Sequence, residues 1–248
     1  MKSWQWVICG KHPGVKDYFH LGPNLPMVAA LADWIEKGYR GIAGARPATA
    51  SLLSWRFWAG GPERHTLLCG ILRDSSDSVG RPYPLLVAGC GYLSEWQTRW
   101  HLVPQACEQC WSQMESISAR IFRNLQQLEG ELLRVREPEP RWTEFAPIPA
   151  PSGATGAASG KAPGALFSDL IENQAVARAS DSEIVVALDE TPSLDPFAVI
   201  HQWHTCLKKH HTEPPKTVFM GGNAGASRLA FYRRPLTTQD FARLWAII

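Results

Sequence analysis

Apolar and polar residues follow two different periods along this chain, and together they predict short strands separated by amphipathic helices. Short apolar runs that stop at glycine, proline or polar clusters are typical of buried strands. They predict strands at residues 4–9, 53–59, 65–72, 83–91, 183–188, 217–220 and 228–232. Apolar residues spaced by three or four positions predict one helix that begins near residue 24 and ends near residue 38 or 41. The same spacing predicts four more helices, at 104–128, 166–179, 195–208 and 237–246.

This order of elements predicts an α+β (mixed α/β) fold, with a mainly antiparallel mixed sheet and helices packed on both of its faces. Residues 1–136 form an N-terminal region, 137–165 a connector rich in proline, alanine and glycine, and 166–248 a C-terminal part that completes the same domain. The composition of residues 146–165 offers little apolar area to offset ordering entropy. We therefore expect that segment to lack regular secondary structure and to tolerate shortening.

Charge and hydropathy exclude some classes of function. The 248 residues carry 25 Lys and Arg against 23 Asp and Glu, a formal charge of +2, which lacks the basic excess of a nucleic-acid-binding protein. The longest apolar runs are far shorter than the roughly 20 residues that span a bilayer. The N-terminal apolar run ends too early for a signal peptide. We expect a cytoplasmic protein with no membrane span.

A Cys-x-x-Cys pair, Cys107 and Cys110, has the spacing of zinc knuckles and of thiol redox sites. The chain has no second pair of this kind, and both cysteines lie on the apolar stripe of the predicted helix 104–128. Free cysteines in such positions usually act as small buried hydrophobic residues. We therefore interpret the pair as part of the core and expect no stoichiometric zinc.

Two imidazoles, His201 and His204, share one face of the predicted helix 195–208 and could face a metal together. No acidic residue follows His201 as in the zinc-hydrolase pattern, and Lys208 and Lys209 add positive charge that opposes a cation. The sequence therefore favours a solvated or partly buried histidine face and no metal site.

Two further motifs have the composition of catalytic loops without their context. The glycine-rich segment 221–225 follows a strand, but it lacks the lysine and hydroxyl of a phosphate-binding loop and leads into another strand, which predicts a hairpin turn. The serines of segment 75–78 lack the Gly-x-Ser-x-Gly elbow of a nucleophile. From the residues alone we assign no catalytic residue and no cofactor.

Two polar loops and one strand motif remain, and at these positions the chain resembles the type VI secretion-associated TagF/ImpM proteins. The resemblance extends over residues 1 to about 130, where Asp74 stands in place of the proline of the family pattern. The matching residues are Gly10, Lys11, Pro13, Asp17 and Tyr18 or Phe19 in the first block, Trp55, Arg56 and Phe57 in the second, and Ser75, Asp77, Gly80, Arg81, Tyr83, Pro84 and Leu85 in the third.

The resemblance implies a non-enzymatic, cytoplasmic accessory protein of the type VI secretion system. Some members of that family act as post-translational repressors through a forkhead-associated-domain protein of the same system, which is the protein partner implied here. An alternative interpretation of the same residues is a small hydrolase or an enzyme that binds an anionic ligand with Asp17, Asp77 and Arg81. An enzyme requires a closed pocket between the loops, whereas a binding module requires an open surface.

The strand order predicts that the two polar loops meet. If the strand 4–9 runs parallel to the strand 65–72, with 53–59 antiparallel to both, the loops leave the sheet at the same edge. Asp17 and Arg81 then lie close enough to pair. We expect Lys11, Asp17, Tyr18, Asp77 and Arg81 to form the partner-binding site.

Overall fold

The computed structural model describes residues 3–42, 52–145, 163–178, 180–188 and 195–245, with the backbone alone for 163–168. Within these ranges eight strands form one sheet: β1 (Gln5–Gly10), β2 (Phe19–Leu21), β3 (Ser54–Gly60), β4 (Thr66–Arg73), β5 (Leu85–Tyr92), β6 (Glu183–Ala187), β7 (Thr217–Gly222) and β8 (Ser227–Tyr232). The α-helices of the same ranges are α1 (Pro26–Ile42), α2 (Val103–Ala119), α3 (Leu125–Leu132), α4 (Pro163–Ala177), α5 (Pro196–His210) and α6 (Thr238–Trp245).

The strand order is β2-β1-β5-β4-β3-β7-β8-β6, and every pairing between neighbouring strands is antiparallel. The pairing of β3 with β7 joins the N-terminal and C-terminal parts of the chain in one sheet. The predicted α+β class is therefore confirmed.

Helices cover both faces of this sheet, as predicted. On one face α1 and α6 pack over Leu68, Phe219 and Tyr232, and on the other α2 to α5 pack over Trp58, Ile71 and Phe231. The helices α1 and α6 approach closely where Gly38 faces Phe241. A Cβ added at Gly38 would lie only 2.4 Å from the Phe241 ring. A residue larger than glycine at position 38 would force the two helices apart.

The predicted helix 104–128 is two helices in the structure. The apolar spacing in the sequence continues through the break. Arg120, however, has extended backbone angles and ends α2. Asn124 then begins α3, because its side chain accepts a hydrogen bond from the Gln127 amide at 2.9 Å. Ile121, which the pattern placed on the buried stripe, is 78% exposed.

Two other elements differ from the prediction. The loop after β1 contains the short edge strand β2, whose Phe19 is buried while His20 is exposed. Most of the segment 146–165, which we expected to lack regular structure, lies outside the described residues, namely 146–162. Its last three residues, 163–165, already belong to α4, so the expectation was wrong for them.

Arg56 links the sheet to α2. Strand alternation sends Trp55 and Phe57 into the core on one face and Arg56 to the other. Its Nε and Nη2 donate to the two carboxylate oxygens of Glu115 at 2.7 and 2.9 Å, and its Nη1 donates to Glu108 at 2.7 Å. Burial disfavours the charged guanidinium, but these carboxylates outweigh that effect and raise the pKa of Arg56. The motif Trp-Arg-Phe is therefore structural.

Another buried polar group is His204 on α5. Its Nδ1 donates to the Ile200 carbonyl at 2.8 Å, and its ring packs among Trp58, Trp100 and Phe231. Burial lowers the pKa of His204 to about 3, so the imidazole is neutral in the folded protein. The sequence predicted a solvated or partly buried histidine face on this helix. In the structure that face lies in the core.

We expect Arg56→Ala to lower the free energy of unfolding by about 2 kcal/mol, because it removes a bidentate ion pair and leaves two carboxylates without their cation. Arg56→Lys should recover only part of this loss, since an ammonium group cannot reproduce the planar fork. Urea unfolding measures both variants against Arg64→Ala, an exposed arginine in the β3–β4 turn. Equal stabilities of the three variants would contradict the structural role.

We also expect stability to fall on acidification, in part through His204. Its pKa is lower in the folded chain than in the unfolded one, so its contribution is complete above about pH 6.5 and is lost as the pH falls toward 3. At about pH 5.5 the loss is about 1.4 kcal/mol. Urea unfolding of His204→Phe near pH 7.5 and pH 5.5 should show a correspondingly smaller pH dependence than wild type. An unchanged dependence would mean that His204 does not stay neutral in the fold.

Candidate functional site

The two polar loops leave the sheet at the same edge. The first loop, residues 11–18, follows β1, and the second loop, residues 74–84, joins β4 to β5. Because β5 is antiparallel to both β1 and β4, those two strands run in the same direction, as predicted. The strand 53–59, now β3, is antiparallel to both, also as predicted, and it lies on the far side of β4, while β5 lies between β1 and β4.

Asp77 is the buried centre of this pair of loops, with 2% of the residue exposed. Its Oδ1 accepts hydrogen bonds from the amides of Val79 and Arg81 at 3.1 and 2.9 Å. Its Oδ2 lies 2.7 Å from the Arg81 Nε and 3.0 Å from the Lys11 Nζ. One carboxylate therefore closes the second loop on itself and binds it to the first.

These contacts keep Asp77 ionised. Burial alone pushes the pKa of the carboxyl group upward, but the hydrogen bonds from Arg81, Lys11 and Val79 outweigh it, so the pKa lies well below its usual range. Lys11 also donates to the Arg81 carbonyl at 3.4 Å, and 14% of its side chain is exposed. Lys11 and Asp77 thus form the interior of the site, and their predicted contribution to partner binding stays a prediction.

Main-chain contacts also connect the loops. The Ser78 amide donates to the Val15 carbonyl at 2.8 Å, and the Arg81 Nη2 donates to the Lys16 carbonyl at 2.9 Å. The Arg81 Nη2 lies 3.4 Å from an Asp17 oxygen, so the predicted pair is present. Hydrogen bonding from the Tyr18 amide and the Arg81 charge lower the pKa of Asp17.

The outer rim of the site combines exposed charges and the exposed Tyr18 with two half-buried tyrosines. The exposed side-chain fractions are 71% for Asp17 and 53% for Arg81, and Tyr18 as a residue is 48% exposed. The Tyr18 ring makes an edge-on contact with Tyr83, which makes another with Tyr39 on α1. We call Asp17, Tyr18, Arg81, Tyr83 and Tyr39 the rim.

Sequence reasoning did not place Tyr39 beside these loops. The Tyr83 hydroxyl donates to Glu36, one turn before Tyr39, at 2.7 Å. This bond fixes α1 against the second loop. A signal for this contact is present in the sequence. The polar Glu36 and the aromatic Tyr39 lie three positions apart, at the edge of the apolar stripe of α1.

Two more residues that sequence reasoning missed support the loops. The Asp74 carboxylate accepts from the Leu53 amide at 2.8 Å and from the Trp245 indole at 2.9 Å, so it ties the second loop to β3 and α6. His12 uses both ring nitrogens: Nδ1 accepts from the Gly14 amide at 3.1 Å, and Nε2 therefore donates to the Arg120 carbonyl at 2.9 Å. Burial lowers the pKa of His12 and keeps it neutral.

The remaining sequence motifs have structural positions. Segment 221–225 forms the predicted hairpin turn, with φ of 142° at Gly221 and 147° at Gly222, and the Asn223 amide bonding to the Ala226 carbonyl at 2.9 Å. Cys107 and Cys110 are buried on α2, as expected. Among the described residues no helix has the length and apolar character needed to cross a bilayer.

Comparisons with known proteins agree with this architecture. A family model described as the TagF N-terminal domain, type VI secretion system-associated, matches residues 7–134. No curated protein matches significantly. The crystal structure of PA0076 from Pseudomonas aeruginosa PAO1 resembles the chain with a TM-score of 0.51 and 18% identity over 98% of this chain and 93% of that one, and at this identity the likeness shows the fold alone. Because the family model spans more than half of the 248 residues, the chain belongs to the type VI secretion system-associated TagF N-terminal domain family.

Proposed function

We propose that this chain is a non-enzymatic accessory protein that regulates the type VI secretion system after translation by binding another component of it through the rim. Membership of the family supports the system, and the geometry of the loops supports the surface. The partner that the family resemblance implies is a forkhead-associated-domain protein of the same system.

The observation that carries the proposal is the division of the site into an interior and an exposed rim. Inside, the Asp77 carboxylate binds the Lys11 ammonium and the Arg81 Nε and fixes both loops. Outside, the Arg81 Nη2 and Asp17 present opposite charges near Tyr18. Tyrosine and arginine are enriched where proteins bind each other, because each combines a large contact area with specific hydrogen bonds. A rim that is already rigid loses little conformational entropy when a partner binds.

The alternative, an enzyme or anion-binding protein, fits the loops less well. Asp77 lies within ion-pair distance of both cations that could bind an anion, Lys11 at 3.0 Å and Arg81 at 2.7 Å. An anionic ligand would have to compete with a buried carboxylate for them. Within the described part of the chain, a pocket of about 290 Å³ lies instead among α4, β6 and α5. None of its lining residues belongs to the two loops.

We expect Arg81→Ala, Asp17→Ala and Tyr18→Ala each to weaken binding of the forkhead-associated-domain protein by about tenfold, as truncation of a central contact residue does. The fold should persist in all three. Asp17 and Tyr18 lie on the surface of the first loop, and Arg81→Ala leaves Asp77 its ion pair with Lys11 and its two amide hydrogen bonds. Isothermal titration calorimetry with the purified partner measures the affinity, and circular dichroism checks the fold.

Arg64→Ala serves as the matched control, since it removes an exposed arginine at the opposite edge of the sheet and should bind like wild type. If the three rim variants stay folded and bind normally, the interaction surface lies elsewhere. If wild type does not bind this protein but retains another purified component of the system through the same residues, the surface is supported and the named partner is wrong.

We expect Asp77→Asn to weaken the same binding although the residue is buried. The amide keeps the shape but removes the charge that Lys11 and Arg81 neutralise, so both loops lose their fixed arrangement. Glu172→Gln is the control, because it removes a carboxylate that binds Lys209 at 2.7 Å between α4 and α5, away from the rim. Calorimetric affinities that are equal for the two variants would contradict the positioning role of Asp77.

A further inference from the structure

Three cysteine sulfurs meet between β4 and α2, away from the rim. The Sγ atoms of Cys69, Cys107 and Cys110 all lie within 4.8 Å of one another, and those of Cys69 and Cys110 are 3.8 Å apart. The three residues are at most 1% exposed. Cys107 and Cys110 lie one helical turn apart, and strand alternation turns Cys69 toward the same helix. The sequence expectation of no stoichiometric zinc considered the Cys-x-x-Cys pair without this third thiol, which lies 41 positions before Cys110.

The spacing of the sulfurs suits a shared metal ion. Two sulfurs that each lie ~2.3 Å from one metal are separated by ~3.8 Å when the angle at the metal is close to tetrahedral, and by slightly more when it is trigonal. The Cys69–Cys110 separation has this value before any ion is added. All three sulfurs lie within 4.8 Å of one another, so no pair has to approach by more than about 1 Å to share an ion.

The donor set determines which ion fits. Among the described His, Cys, Asp and Glu residues, the cluster contains these three thiols and no fourth ligand. Structural zinc requires four ligands, whereas soft monovalent copper accepts three sulfurs. Met114 follows Cys110 by one turn on the same buried face, and its thioether is a further soft group.

We propose that Cys69, Cys107 and Cys110 form a binding site for one Cu(I) ion. Binding replaces S–H bonds by Cu–S bonds and releases the thiol protons to solvent, with no change in the oxidation state of copper or sulfur. The ion joins β4 to α2, the same two layers that the Arg56 ion pairs connect through β3.

The test is an anaerobic titration of the full chain with Cu(I) in the presence of a coloured Cu(I) chelator as competitor. Wild type should retain one equivalent of copper. Cys69→Ala and Cys110→Ala should each bind it at least about tenfold more weakly, because each lacks one of three ligands. The matched controls are Cys9→Ala, also a buried strand cysteine, and Cys206→Ala, also a buried helix cysteine, both outside the cluster and expected to bind like wild type.

X-ray absorption at the copper edge provides a second measurement that requires no variant. A first shell of sulfur atoms only supports the site, and a shell that contains nitrogen or oxygen overturns it. The proposal is also overturned if wild type retains no copper against the competitor, or if the cluster variants and the controls lose it equally. Retention of zinc in preference to Cu(I) would contradict the assignment of the ion.

Discussion

A single buried carboxylate, that of Asp77, joins the two polar loops at one edge of the sheet. Asp77 accepts hydrogen bonds from two amides of its own loop and lies within ion-pair distance of the Arg81 guanidinium and the Lys11 ammonium. A buried charge is costly unless its partners surround it, so the second loop must fold around the carboxylate and the first loop must supply Lys11. Arg81, held by Asp77, in turn lies within ion-pair distance of the exposed Asp17.

The rest of the fold places the two loops where Asp77 can join them. Antiparallel pairing of β5 with β1 and β4 makes both loops leave at the same edge. Asp74 fixes the start of the second loop to β3 and to the C-terminal helix, and Arg56 holds α2 against the opposite face of the sheet. Packing of the core on both faces therefore supports the arrangement of the two loops.

Much of this architecture could be predicted from the sequence, because the strands carry strong period-2 or continuous apolar patterns and the turns contain glycine and proline. The proximity of Asp17 and Arg81 followed from strand direction alone. Sequence could not show that Asp77 points inward, since a polar residue in a polar loop has no period that indicates burial. It also could not place Cys69 beside Cys107, because that contact depends on which strands α2 packs across, and no local period in the sequence encodes this.

Amide hydrogen exchange of wild type and Asp77→Asn shows whether Asp77 holds both loops together. If it does, exchange in the variant is faster at Val79 and Arg81 in the second loop and also at Val15 in the first, with the amides of β4 unchanged. Unchanged exchange in the first loop would show instead that the loops keep their structure independently of the shared carboxylate.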